Sequence, residues 1–298
     1  MAQPATFMRL PFSRELDRLD VALIGIPYDG GTSYRPGARF GPREVRNQSS
    51  IIRPYNPVMD ASPFSALNIA DYGDIDPAPV SIESTYEAIE RDIGEVVAKG
   101  VLPVTVGGDH SITLPILRAI AAKEGPVGLV HFDSHPDTWD EYFGGKFFHG
   151  TPFRRAVEEG VIDPSRMIQV GIRGSLYDRG DFDFQREHGI TLLTIGDVKR
   201  AGVDETLKRI HEVAKGRVYV SFDIDVVDPA FAPGTGTPEV GGLDSYEAIE
   251  IVRGLKGLDA AGFDVVEVSP LYDGPGQITS VLAANILFEF LSTLRAEQ

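Results

Sequence analysis

The 298-residue chain has no cysteine and a single tryptophan, Trp139. Without thiols there are no disulfides and no thiolate ligands, so any metal must be held through oxygen and imidazole nitrogen. Long apolar runs are missing as well. None approaches the roughly 20 residues needed to span a bilayer, and no basic stretch followed by an apolar core marks a signal peptide at the N-terminus. We therefore expect no membrane partner, and a cytoplasmic location as the default. Positive charge is short: 28 Lys and Arg stand against 44 Asp and Glu, a formal net charge of -16. That balance argues against nucleic acid and suits attraction of a small cationic substrate, although an acidic surface also simply keeps a protein soluble. With no internal repeat, low-complexity segment or polar linker, one domain over 1–298 is expected. Residues 1–18, with Pro4 and Pro11, read as an N-terminal arm that packs on a neighbour or crosses the surface.

What the chain does contain is a rhythm. Apolar β-rich runs at 21–27, 68–70, 101–106, 127–132, 167–172, 191–195, 218–222 and 261–268 alternate with helical spacing at 43–52, 81–99, 110–122, 152–159, 204–215, 245–253 and 279–294. Pro42 suits the first position of one helix and Gly100 the C-cap of another. Strand, helix, strand in this order predicts parallel pairing through right-handed crossovers. The expected fold is α/β, a three-layer α/β/α sandwich around a mainly parallel sheet of about eight strands, with ligands outside the carboxyl ends of the strands.

Those ends are where the chemistry gathers. The run Leu129-Val130-His131-Phe132 leads into Asp133, His135 and Asp137, three potential metal ligands at alternate positions, which an extended chain would point to one side. A second run ends in Asp223 and Asp225, and a third passes through Gly107 and Gly108 to His110. Four carboxylates and two imidazoles are costly to desolvate together unless cations sit among them. Four negative charges balance two divalent ions, and oxygen-rich ligation with some imidazole suits two Mn²⁺ first, with Ni²⁺, Co²⁺ or Zn²⁺ open by the same logic. Metal-assisted hydrolysis is the chemistry to expect. His131 reads as a core histidine, while His188 and His211 read as solvent-facing. Asp109 and Asp228 read as structural, at a helix start and an Asp-Pro turn. Arg39 and Arg43 either bind a substrate carboxylate or hold loop and helix together.

Taken together, 107–110, 133–137 and 221–242 resemble the three signatures of the ureohydrolase family, which includes arginase and agmatinase. The segments RPGARFGP (35–42), HGTPFRRA (149–156) and SPLYD (269–273) are closest to the agmatinase, guanidinobutyrase and proclavaminate amidinohydrolase group. The resemblance implies hydrolysis of a guanidino group to urea plus an amine. Agmatine, giving putrescine, is the first expectation, and a guanidinobutyrase, proclavaminate amidinohydrolase or other guanidino-acid activity is the alternative. It further implies that Asp133 and Asp223 bridge the two ions, that His110 and Asp137 complete one and His135 and Asp225 the other, and that the protein is a homo-oligomer, a trimer or hexamer. His149 resembles the family histidine near the substrate, where it would pass a proton to the leaving amine, and Glu267 the glutamate that receives the guanidinium; the bland readings are a helix cap and an arginine partner. Asp137 could also orient the nucleophile.

Specificity is expected from the loop 138–148, where Trp139, Tyr142, Phe147 and Phe148 either stack on the substrate or simply pack. Residues 171–184 form a second candidate wall, in which Arg173 would suit a substrate with a distal carboxylate. Two other classes compete with this reading: a metal-dependent amine deacetylase, which would need one metal, and a non-catalytic metal-binding subunit, which would show a broken ligand set. Neither matches six intact candidates.

Overall fold

A computed structural model describes residues 5–294. Each apolar run becomes a strand: β1 (Val21–Ile26), β2 (Ile69–Asp74), β3 (Leu102–Gly107), β4 (Val127–Phe132), β5 (Ile162–Ile172), β6 (Thr191–Thr194), β7 (Arg217–Asp223) and β8 (Asp259–Val266). They form one sheet in the order β2-β1-β3-β8-β7-β4-β5-β6, and every pairing is parallel. Runs that are apolar at nearly every position are what such a sheet requires, because both of its faces are covered.

The helices that cover it are α1 (Gly41–Ser49), α2 (Pro63–Ala66), α3 (Ile82–Ala98), α4 (Thr113–Glu124), α5 (Pro152–Glu158), α6 (Asp183–His188), α7 (Ile195–Val213), α8 (Ser245–Gly254) and α9 (Ile278–Thr293). Alternate strand residues divide between two cores. Leu23, Val106, Phe132 and Val220 pack with Val45, Val198, Ile251 and Leu287 on one face. Ile24, Leu129, Met167 and Tyr219 pack with Ile89, Leu117, Phe153 and Phe184 on the other. Period-two alternation thus builds the three layers.

Several boundaries moved for local reasons. The helix expected from 110 starts as a 3₁₀ turn, His110–Ile112, because Asp109 caps Ser111 and sets a tighter first turn. The helix expected over 204–215 begins at Ile195, where Thr194 and Asp197 form a capping box, and kinks at Gly202. Helices α2 and α6 are too short to show a period in the sequence. His211 is half-buried, its Nε2 2.9 Å from the Gly254 carbonyl, rather than solvent-facing. The arm packs on its own chain: Phe7 is fully buried, its N–H donates to Asp71 Oδ2 at 2.9 Å, and the Met8 N–H donates to Ser49 Oγ at 2.7 Å. Pro4 lies outside the described residues. Among those residues no helix is long and apolar enough to cross a membrane.

Four neighbouring strands at the centre of the sheet, β3, β8, β7 and β4, carry the residues that matter next. The chain leaves β3 and re-enters three positions away at β4, and β7 and β8 later fill the gap. Crevices of this kind, at the carboxyl edge where the winding changes, are where α/β sheets bind ligands.

Candidate metal centre and active site

His110 follows β3, Glu267 follows β8, Asp223 ends β7 and Asp133 follows β4, so adjacent strand ends deliver all four to one rim. Gly108 permits the approach: a Cβ there would lie 1.9 Å from the Tyr28 carbonyl oxygen. Asp109 is structural in its bonding, accepting from Ser111 N–H at 2.9 Å and Gly31 N–H at 2.7 Å. Burial and the nearby Glu267 charge push it up to about 6. Asp228 likewise accepts from Ala230 and Gly241 N–H, and Arg39 pairs with the buried Asp29.

The convergence of 133–137 has a different cause from the extended alternation expected of it. The strand ends at Phe132, the chain bends at Ser134 and His135, and Asp137 takes φ 49°. Glu267 is left-handed too, at φ 62°. Positive φ is unfavourable for residues with a side chain, and two such residues at one rim mark a backbone held by its surroundings. Similarly, Asp225 reaches the rim from a 3₁₀ turn, Ile224–Val226, capped by Asp223.

The donor atoms form two overlapping groups. His110 Nδ1 is 3.1 Å from Asp133 Oδ2, 3.0 Å from Asp137 Oδ2 and 3.2 Å from Asp223 Oδ2. His135 Nδ1 is 3.0 Å from Asp225 Oδ2 and 3.4 Å from Asp133 Oδ1. Asp133 therefore offers one oxygen to each group. His110 Nδ1 is buried and makes no hydrogen bond of its own, while its Nε2 is anchored 2.8 Å from Ser221 Oγ, which donates to Asp264 at 2.7 Å. Asp225 Oδ1 accepts from Ser134 Oγ at 2.7 Å.

Burial and the charges of Asp225 and Asp133 push Asp223 well above the carboxylate range. His110 and His135 are driven down by burial, but the surrounding carboxylates more than reverse this and hold both well above normal. Crowded acids beside an unpartnered imidazole nitrogen are the surroundings a divalent cation relieves, and the donor set fits one.

Beside the cluster, His149 Nδ1 is 3.0 Å from Glu267 Oε1, and His149 Nε2 is 2.7 Å from Ser33 Oγ and accepts from Ser33 N–H at 3.1 Å. Burial lowers the His149 pKa, yet the bond to Glu267 and its charge leave it above normal. Glu267 Oε1 also accepts from His110 N–H at 3.0 Å, while its Oε2 is buried without a partner. A cavity of about 190 Å³ opens here, with His135, Asp137 and Asp223 below and Ser33, Tyr34, Trp139, Tyr142 and Thr237 among its walls.

Trp139 thus lies where the loop reading put it, stacked on Tyr142 at 5.7 Å. Phe147 instead packs against Tyr86. Arg173 is not brought into the cavity wall: its guanidinium donates to the carbonyls of Asp225 at 2.7 Å, Val226 at 3.1 Å and Glu239 at 2.7 Å. Ser33 was missed, although the glycines around it marked the loop.

Residues 19–292 match the arginase family. The chain belongs to that family. A guanidinobutyrase and a guanidinopropionase of Pseudomonas aeruginosa are each 50% identical, covering 97% of this chain and 92% and 91% of theirs. A mitochondrial agmatinase of Gallus gallus is 46% identical over 97% of this chain and 85% of its own. Among solved structures, the proclavaminate amidinohydrolase of Streptomyces clavuligerus superposes with TM-score 0.94 at 45% identity, covering 98% of this chain and 97% of that one. A Trypanosoma cruzi formiminoglutamase solved with Mn²⁺ gives TM-score 0.87 at 26% identity, covering 98% of each. As an arginase-family enzyme the chain is a hydrolase of carbon–nitrogen bonds in linear amidines.

Proposed function

We propose that this arginase-family hydrolase uses a binuclear metal centre to split a guanidino group into urea and an amine. The observation that carries the reading is the buried, unbonded His110 Nδ1 facing three carboxylates from two different strand ends. His110 and Asp137 would hold one ion and His135 and Asp225 the other, with Asp133 and Asp223 serving both. Two divalent cations, Mn²⁺ by preference with Ni²⁺ or Co²⁺ as alternatives, supply an activated water as nucleophile near neutral pH.

The chain's own groups do the rest. Glu267 Oε2, buried and without a partner, receives guanidinium N–H groups, for which a carboxylate is the natural acceptor. Asp137 orients the attacking water. His149, held by Glu267 and Ser33, delivers a proton to the departing amine nitrogen. Donors for two ions speak against a one-metal amine deacetylase, and an intact set speaks against a non-catalytic subunit.

Agmatine came first on sequence, but one feature of the cavity favours a guanidino acid. Its lining carboxylates, Asp137 and Asp223, both belong to the cluster, which leaves no lining acid for a distal ammonium. The Tyr34 hydroxyl, and that of Tyr142, which accepts from Tyr177 and keeps its own proton to donate, are available instead to a distal carboxylate. The names of the two relatives at 50% identity point the same way. Arg173, engaged by backbone carbonyls, is left out of this assignment. Assembly as a homotrimer or hexamer is part of the same proposal, and sizing by light scattering tests it.

The deciding experiment measures urea release from agmatine, guanidinobutyrate and guanidinopropionate after reconstitution with Mn²⁺, Ni²⁺ or Co²⁺. Guanidino acids are expected to give the higher kcat/KM. Absence of urea from every substrate with every metal would sink the proposal.

A further inference from the structure

His131 is fully buried beside the cluster, and its Nε2 lies 2.8 Å from Asp133 Oδ2, the oxygen that also faces His110 Nδ1. By distance alone it groups with His110, Asp133 and Asp137 as a possible metal ligand. Which of its nitrogens carries the proton decides whether it can be one. A protonated ring nitrogen has no lone pair to give.

The answer lies on the far side of the ring. Gln169, fully buried on β5, places its side-chain nitrogen 2.6 Å from the Pro136 carbonyl oxygen and 2.9 Å from His131 Nδ1. A carbonyl oxygen can only accept, so the NH₂ end of Gln169 must face Pro136. Gln185 on α6 agrees with that orientation, its NH₂ lying 3.1 Å from Gln169 Oε1 and 2.8 Å from Thr138 Oγ1. The second hydrogen of the Gln169 NH₂ then points at His131 Nδ1, which has to accept it. A neutral imidazole that accepts at Nδ1 carries its proton at Nε2. That proton is donated to Asp133.

We propose that His131 is not a metal ligand but a positioning residue: Gln169 locks it as the Nε2–H tautomer, and it holds Asp133, one of the two carboxylates that would serve both ions. This rests on reading the cluster as a metal centre. Packing supports the role, since the Phe153 ring lies 4.2 Å from that of His131 and 5.1 Å from that of His110 and holds both in place. The other Asp133 oxygen is fixed as well, accepting from His135 N–H at 2.5 Å. Pro136 thus acts through its carbonyl, and the N–H it lacks is not needed. Partners of this kind, one bond removed from the metal, set ligand orientation, and their loss commonly weakens metal affinity about 10–100-fold.

The test is calorimetric titration of Mn²⁺ into metal-stripped protein, with kcat and KM for urea release, for wild type, His131→Phe, His131→Gln and Gln169→Leu. His131→Phe and Gln169→Leu should bind as many ions as wild type, about 10–100-fold more weakly, with a lower kcat and an unchanged KM. His131→Gln, whose NH₂ can reach toward Asp133, should recover much of the loss. Gln169→Leu decides the matter should His131→Phe fail to fold. Loss of one ion per chain in both His131 variants would make His131 a ligand and overturn the inference, as would undiminished affinity in Gln169→Leu. A wild type that takes up no Mn²⁺ would overturn the metal centre itself, and this inference with it.

Discussion

The floor of the cavity and its mouth are built on opposite plans. On the floor, His110, Asp133, Asp223 and Asp225 are buried at the ends of central strands, with donor atoms about 3 Å apart and nearly every other polar atom tied to a neighbour. At the mouth, Tyr34, Phe143 and Tyr177 are 57%, 87% and 72% exposed on loops, joined mainly by ring contacts such as Tyr142 on Phe143. A rigid floor suits chemistry that tolerates no misplacement, whereas a loop-built mouth can change its choice of substrate without disturbing that chemistry. Damage to the floor should therefore abolish the reaction, and damage to the mouth should redirect it.

The largest effect is expected at Asp133, the residue common to both donor groups. Asp133→Asn should reduce turnover below detection and leave Mn²⁺ uptake negligible by elemental analysis; wild-type activity in that variant would break the distinction between floor and mouth. Removing the metal with EDTA should act in the same direction on the fold. Ion at about a thousand times its Kd contributes about 4 kcal/mol of stability, and each kcal/mol is worth roughly 2–4 °C in a chain of this order of size. A fall in Tm on the order of 10 °C, reversed by added Mn²⁺, is the expected calorimetric result.

His149 and Glu267 stand between the two zones, and their variants should separate chemistry from metal binding. His149→Phe is expected to lower kcat by about 10²–10⁴-fold, the usual worth of a positioned proton donor, while both ions remain bound. Glu267→Gln removes one charge-assisted contact worth about 1.5–3 kcal/mol, so kcat/KM should fall roughly 10–100-fold. Equal metal content in these variants and wild type would place both residues outside the coordination sphere. Metal loss in either would move the boundary of the floor.

The contrast between floor and mouth also explains what could be read from the chain alone. Strands buried on both faces announce themselves as apolar runs, and residues just past them, such as Asp133 and His110, inherit a known place at the sheet's edge. Torsion angles do not show in the same way. Nothing in the sequence says that Asp137 and Glu267 turn left-handed, so the residues that meet at the rim were legible but their geometry of approach was not. Long-range partners are hidden too. Gln169 and Gln185 acquire a role only when β5 and α6 meet the loop 133–139, and Arg173 meets the carbonyls of 225–227 only after the fold has formed. Motif spacing reports which strand ends share a rim, but not which side chains lie behind them.

The smallest predicted change tests the mouth itself. Trp139 forms a cavity wall, stacked on Tyr142, which in turn stacks on Phe148 at 4.9 Å, so its removal should loosen a chain of rings without touching a metal donor. An aromatic face over an exposed or half-exposed cation is worth about 0.5–1 kcal/mol. Trp139→Ala should therefore leave Mn²⁺ affinity unchanged and shift the ratio of kcat/KM for guanidinobutyrate over agmatine by about 2–5-fold. A specificity ratio that stays fixed while kcat collapses for both substrates would mean that the indole supports the floor, and that mouth and floor are one mechanical unit.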